Sequence, residues 1–148
     1  MKPEFLQKLH ENLNEFEGLY GGACTLQEVQ NAEQELRVNF CNHYKQFVLL
    51  YGGANLEGNF IYGLKKQRSM GKDFWSVIQN TKFYKDTQKW PGIEDWYVVS
   101  DDGRGNPIGI DPEGKVWLSD HDAGFEKVKL ADNFEEFLHK LLTDTLYD

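Results

Sequence analysis

The side chains best placed for joint chemistry are Asp120, His121 and Asp122, two carboxylates that flank an imidazole. Such a trio supplies the ligands of a divalent metal ion or the acid and base of a hydrolase. It follows a predicted strand, however, and neighbouring side chains of an extended chain point to opposite faces. We therefore predict that the trio does not converge on one metal ion. A small metal-dependent hydrolase remains the second alternative function.

Two further patterns near these residues resemble ligand-binding loops without completing them. Asp101, Asp102 and Asp111 lack the spacing and the downstream glutamate of a calcium-binding loop. Gly103-x-Gly105 has no helix after it, whereas a phosphate-binding loop opens onto a helix N-terminus. Asp and Gly are also the residues that turns require. These residues predict a tight hairpin, and we predict no cofactor and no metal.

Cysteine chemistry has little support in the sequence. Cys24 and Cys41 lie near predicted helix starts, where a thiolate is stabilised. His43 is close to Cys41, but no acid is placed to orient it. Two cysteines are also too few for a disulfide framework, which favours a reducing compartment. We therefore predict no catalytic residue, no enzymatic activity and a cytoplasmic location.

The charges are unevenly divided along the chain, whose net charge is −8. Residues 1–85 carry ten basic and nine acidic side chains, and residues 86–148 carry six basic and fifteen acidic ones. Nucleic-acid binders show a basic stripe instead. No apolar run reaches the roughly 18 residues of a membrane span. The sequence therefore argues against nucleic acid and membranes as direct partners and permits a basic protein partner.

The acidic excess is concentrated between Glu94 and Asp122, where eight acidic residues face two basic ones. We predict that this segment forms an anionic face, with Trp90 as an exposed apolar anchor and Arg104 as a bidentate donor. A solvated strand-and-turn surface explains the same charges equally well. The predicted contact residues are Trp90, Glu94, Asp95, Asp101, Asp102, Arg104, Asp120, His121 and Asp122.

Helical and extended segments alternate along the chain. Apolar spacing predicts five helices, over Pro3–Glu17, from Thr25 to Leu36, and over Asn42–Tyr51, Asp73–Lys85 and Asp132–Tyr147. Aromatic and β-branched runs predict four strands, over Asn59–Leu64, Trp96–Ser100, Pro107–Asp111 and Lys115–Ser119. Thr25 with Glu28 and Asp132 with Glu135 are capping patterns. Short turns between the strands favour antiparallel pairing. The prediction is a single α+β domain, residues 1–148, with helices packed on a small antiparallel sheet.

Four stretches in this order resemble the SUKH superfamily. They are TLQEVQNAEQEL (Thr25–Leu36), FCNHYKQF leading to YGG (Phe40–Gly53), VVSDDGRGNPIGID (Val98–Asp111) and LADNFEEFL (Leu130–Leu138). The resemblance extends over residues 23–148 and leaves 1–22 as an additional N-terminal helix and loop.

The resemblance implies a function that composition does not reveal. Bacterial members of the superfamily are mostly immunity proteins, or antitoxins, that neutralise polymorphic toxins, often nucleases. By this resemblance, the chain binds a cognate toxin domain stoichiometrically and uses no cofactor. A regulatory protein-interaction scaffold, as in the fungal branch, is the first alternative. The sequence leaves the oligomeric state and the identity of the toxin open.

Overall fold

The computed structural model describes all 148 residues as helices and antiparallel strands joined by short loops. The five α-helices are α1 (Pro3–Leu13), α2 (Leu26–Leu36), α3 (Asn42–Tyr51), α4 (Val77–Lys82) and α5 (Phe134–Leu142). The six strands are β1 (Ala54–Leu56), β2 (Asn59–Ile61), β3 (Tyr97–Asp101), β4 (Pro107–Ile110), β5 (Val116–Asp120) and β6 (Glu126–Ala131). A π-helical segment, Phe83–Thr87, follows α4, and a 3-10 turn, His121–Ala123, follows β5. No helix has both the length and the apolar character that crossing a lipid bilayer requires.

Strands β3 to β6 form one antiparallel sheet in chain order. Its connections, residues 102–106, 111–115 and 121–125, are each five residues long, too short for parallel crossovers. β1 and β2 form a separate hairpin beside β3. The Tyr62 N–H joins the two sheets by donating to the Val99 carbonyl at 2.8 Å. The predicted α+β class with a small antiparallel sheet is confirmed.

One face of the four-stranded sheet packs on α3 and α5 through aromatic rings. The Tyr44 ring lies 5.4 Å from Tyr97 on β3 and 5.3 Å from Phe134 on α5. Both tyrosine hydroxyls are hydrogen-bonded: Tyr44 Oη donates to the Tyr62 carbonyl at 2.6 Å, and Tyr97 Oη accepts from the Cys41 N–H at 2.8 Å. The core therefore buries large rings without leaving their polar ends unpaired.

The opposite face of the sheet carries tryptophans. Trp96 packs its ring against Gly109, which lies between Val98 and Trp117 in the register of β3, β4 and β5. Trp96 is buried. Trp117 is half-buried, and its indole N–H donates to the Asp111 carboxylate at 2.9 Å.

Helices α1 and α4 are, like α5, shorter than their apolar spacing suggests. α1 ends at Leu13, and Asn14 follows as its C-cap, with its side chain donating to the His10 carbonyl at 2.8 Å. Phe16, expected on the apolar face, is 65% exposed. α4 begins after Ser76, whose hydroxyl accepts from the Gln79 N–H at 3.0 Å.

The C-terminal third of the chain also differs from prediction. The strand β6 was not predicted, because four of its residues are exposed and it lacks the apolar alternation of a half-buried strand. Asn133, not Asp132, caps α5 by accepting from the Glu136 N–H at 2.9 Å. Asp132 instead pairs with Lys129 at 2.7 Å. The helix ends at Leu142, before the predicted Tyr147.

We expect Gly109→Ala to destabilise the fold by about 1–3 kcal/mol, the usual cost of overpacking. A β-carbon at this position would lie 2.6 Å from Cε3 of the buried Trp96 ring, which would have to shift. Urea unfolding followed by tryptophan fluorescence measures the change. Gly71→Ala is the matched control, because its nearest contact would be 3.7 Å away. Equal stability of both variants would contradict the close packing of Trp96.

Candidate functional site

Two loops leave the four-stranded sheet at the same end. In the strand register Asp101 pairs with Pro107 and Asp120 pairs with Glu126, so the β3–β4 loop and the β5–β6 loop are neighbours, while the β4–β5 loop lies at the other end. We call these two neighbouring loops, with their flanking aspartates, the acidic end of the sheet. It gathers six of the predicted contact residues: Asp101, Asp102, Arg104, Asp120, His121 and Asp122.

A buried amide, Asn106, holds the two loops together. Asn106 is only 1% exposed. Nδ2 donates to Asp102 at 2.8 Å in its own loop and to Asp120 at 3.4 Å across the loops. Oδ1 accepts from the His121 N–H at 3.0 Å and from His121 Nδ1. Both halves of the amide are therefore used, which fixes the position of one loop against the other.

The aspartates of the β3–β4 loop shape the loop that carries them. Asp101 accepts from the Gly103 N–H at 2.7 Å, and its other oxygen accepts from the Tyr62 hydroxyl. Asp102 accepts from the Arg104 N–H at 2.8 Å. These are the side-chain-to-backbone bonds by which Asp stabilises turns. The carboxylates thus have local partners and still contribute negative charge to the surface.

Asp120, His121 and Asp122 converge, contrary to the prediction. One ligand atom from each lies within 4.8 Å of the others. The reason is that the strand ends at Asp120 and the chain enters a 3-10 turn, which abolishes the alternation of an extended chain. The ring nitrogens of His121 have protein partners, Nδ1 at Asn106 and Nε2 at Asp122, 3.3 Å away.

Trp90 lies next to the acidic end but is half-buried, so the prediction of an exposed anchor is wrong. Its indole N–H donates to Ser119 Oγ at 2.8 Å. Its ring meets Tyr84 at 5.4 Å, His121 at 5.9 Å and Phe125 at 5.1 Å, each edge-on. Most of the residues that cover the indole, Ser119, His121 and Phe125, are far away in the chain. Trp90 therefore packs against the β5–β6 loop and supports it through Ser119, His121 and Phe125.

Glu94 and Asp95 lie at the other end of β3. The strand between them and Asp101 spans five residues, about 16 Å of extended chain. Backbone N–H groups of Glu94 itself and of Gly92 lower the pKa of the Glu94 carboxyl. Burial lowers the pKa of nearby Lys85, while Asp95 opposes that shift. The anionic face predicted from Glu94 to Asp122 is therefore divided into two separate acidic regions.

The cysteines do not form a nucleophilic site with His43. Cys24 is buried, and burial raises the pKa of its thiol, the opposite of what an attacking thiolate needs. Cys41 is half-buried at the start of α3, where its N–H donates to Tyr97. Both thiols are free.

Most of the chain matches a known protein family. The model of the SMI1/KNR4 family (SUKH-1) matches residues 23–140. The match runs from before α2 into α5 and so contains all six strands and both loops of the acidic end. The chain belongs to the SMI1/KNR4 family. The resemblance found in the sequence is thereby confirmed. No curated protein matches the chain.

The negative charge of the acidic end contributes, after burial, to the raised pKa values of three tyrosines in this SMI1/KNR4 domain. Burial, and after it the charges of Asp101 and Asp102, together raise the pKa of Tyr84 to about 12. Burial and then the Asp101 charge raise the pKa of Tyr62. The pKa of Tyr147, near the C-terminus, is raised by burial and then by Asp102 and Asp101. The field of the two aspartates therefore reaches the core side of the loop and the C-terminal tail.

Three residues important to this part of the SMI1/KNR4 domain were not predicted. Asn106 ties the loops, Ser119 holds Trp90, and Phe125 is exposed at the end of the β5–β6 loop. Each depends on a partner that the tertiary fold supplies. The only local signal was the position of Asn106 at the end of a turn and before Pro107, where an Asn side chain commonly bonds the backbone.

We expect Asn106→Ala to lower the free energy of unfolding by about 1–3 kcal/mol, because buried partners of the amide lose their hydrogen bonds. Amide hydrogen exchange at His121 should accelerate, because its N–H loses its acceptor. Asn39→Ala is the control: this residue is exposed, so its change should stay within about 0.5 kcal/mol. Unchanged exchange at His121 in the Asn106 variant would show that the amide does not hold the loops.

We expect stability to fall as the pH rises from 10 toward 12. Tyr84 loses its proton near pH 10 in the unfolded chain and only near 12 in the folded one, so over this range the folded state binds more protons. Tyr84→Phe removes this contribution and should make the fall shallower. Urea unfolding at pH 9, 10 and 11 gives both slopes. Identical slopes for the variant and the parent chain would refute the raised pKa.

Proposed function

We propose that this chain is an immunity protein that binds a cognate toxin domain, a basic nuclease, and neutralises it by stoichiometric sequestration in the cytoplasm. The family supports a role of this general kind. The observation that carries the proposal is the acidic end of the sheet, where two rigid loops present four aspartates beside one another. A cationic nuclease groove is the partner that such a surface complements.

The acidic end has the properties of a preorganised binding surface. Asp101 and Asp102 are fixed by backbone N–H groups, and Asn106 fixes the loops to each other. Loops that are already ordered lose little conformational entropy when a partner binds. Asp122, whose side chain is 78% exposed, and Arg104, also exposed, are the groups free to make direct contacts.

The charge of the chain favours a protein partner over nucleic acid. The net charge is −8, and phosphate groups would be repelled by the aspartates of the acidic end. Complementary charges chiefly raise the association rate and sharpen the choice of partner. In this proposal the chain covers the toxin and performs no catalysis itself.

Co-expression with a candidate toxin encoded by a neighbouring reading frame tests the proposal. We expect the chain to restore growth and the purified proteins to form a complex of equal stoichiometry, without turnover of any small substrate. Failure to protect growth, together with absence of a complex, would refute the immunity function. Capture of endogenous proteins in place of the toxin would favour the scaffold alternative.

We expect Asp122→Lys to slow association with that toxin about tenfold at low salt, because steering by charge affects mainly the association rate. The effect should shrink as salt is added. Stopped-flow or surface plasmon resonance measurements across a salt series provide the rates.

Glu113→Lys is the matched control for this prediction. Glu113 has a similarly exposed side chain, 72%, but lies in the β4–β5 loop at the other end of the sheet. The two variants have the same net charge. If both substitutions slow association equally, the effect comes from the overall charge of the chain. The acidic end would then not be part of the interface.

A further inference from the structure

Phe125 has an unusual backbone conformation for a large apolar residue. Its φ is +64°, in the left-handed region, which bulky side chains rarely adopt because of clashes with the backbone. The residue is nevertheless 39% exposed, more than is usual for a large apolar side chain. Phe74 is the only other aromatic residue with positive φ. Strained residues that persist in a fold commonly mark functional positions.

The ring of Phe125 is held in a fixed position. Its N–H donates to the Asp120 carbonyl at 2.8 Å, and its carbonyl accepts from Ser119 Oγ at 3.4 Å. The same Ser119 oxygen accepts from the Trp90 indole at 2.8 Å, and the Trp90 ring supports Phe125 edge-on. The ring is therefore presented to solvent by hydrogen-bonded and packed groups, which lowers the entropy lost when a partner covers it.

Acidic residues flank Phe125 along the chain and in the neighbouring loop. Asp120, Asp122 and Glu126 belong to the same loop and its flanks, where no Lys or Arg is found between them. Asn106 brings Asp102 alongside. A rigid aromatic side chain with a polar rim is the arrangement found at energetically dominant positions of protein interfaces.

We propose that Phe125 is the aromatic anchor with which this chain enters an apolar recess on a cationic protein partner. The proposal rests on the proposed function: the partner is the basic toxin domain, and the aspartates around Phe125 pair with the lysines and arginines that border the recess. A nucleic acid would place phosphates against these carboxylates and is thus a poorer fit. The anchor is Phe125, and Trp90 is its support.

Phe125→Gly tests the anchor, with Phe74→Gly as the matched control. Phe74 shares the residue type, the left-handed backbone (φ +58°) and a similar exposure of 50%. Three rings, Phe83, Tyr84 and Trp90, separate it from Phe125. Glycine accepts positive φ freely, which offsets part of the ring packing that each variant loses, so both variants should remain folded, as their thermal midpoints check. Phe125→Asn, a polar residue that also tolerates this conformation, is a second variant.

The probe is the toxin domain that the co-expression experiment identifies, inactivated by substitution, and the readout is its dissociation constant. We expect Phe125→Gly and Phe125→Asn to weaken binding at least about 30-fold, mainly through faster dissociation. Phe74→Gly should change it less than about threefold. Equal effects at the two phenylalanines, or none at Phe125, would overturn the anchor and leave the proposed function standing. If the unaltered chain does not bind the toxin domain, the proposed function fails and the anchor fails with it.

Discussion

The buried amide of Asn106 is the interaction on which the acidic end of the sheet depends. Two loops that both carry aspartates repel each other, and water would ordinarily separate them. Asn106 opposes this separation because its N–H₂ group bonds Asp102 and Asp120 while its oxygen accepts from His121. A buried polar group with all its partners confers geometric precision as well as stability. These hydrogen bonds of Asn106 therefore hold the aspartates of the two loops close together in a fixed arrangement.

The sheet makes this arrangement possible because its two faces serve different purposes. One face packs on α3 and α5 through Tyr44, Tyr97 and Phe134, and it provides most of the buried aromatic contacts of the core. The other face holds Trp96 on Gly109 and Trp90 on Ser119. The second set of contacts extends the ordered structure to the loops. A loop supported by packed rings retains its conformation in the absence of a partner.

The aspartates of the acidic end have two physical roles that do not conflict. As hydrogen-bond acceptors, Asp101, Asp102 and Asp120 complete turns that would otherwise leave backbone N–H groups without partners. As charges, they create a negative field, and the charges of Asp101 and Asp102 add to the effect of burial in raising the pKa of Tyr84. Turn formation thus explains where the carboxylates lie, and the field explains what kind of surface they make.

Periodicity, capping residues and turn composition determined the fold class, α3, the central strands and the family, because these depend on neighbours close in the chain. Thr25 with Glu28 forms the predicted capping box. Only the tertiary structure decided the rest. Trp90 is covered by a partner 29 residues away and Asn106 bonds across 14 residues, separations over which local patterns carry no information. Strand β3 places Glu94 and the loop of Asp122 at opposite ends of the sheet. The 3-10 turn after β5 brings the side chains of Asp120 and His121 together. Spacing along the chain predicts neither distance.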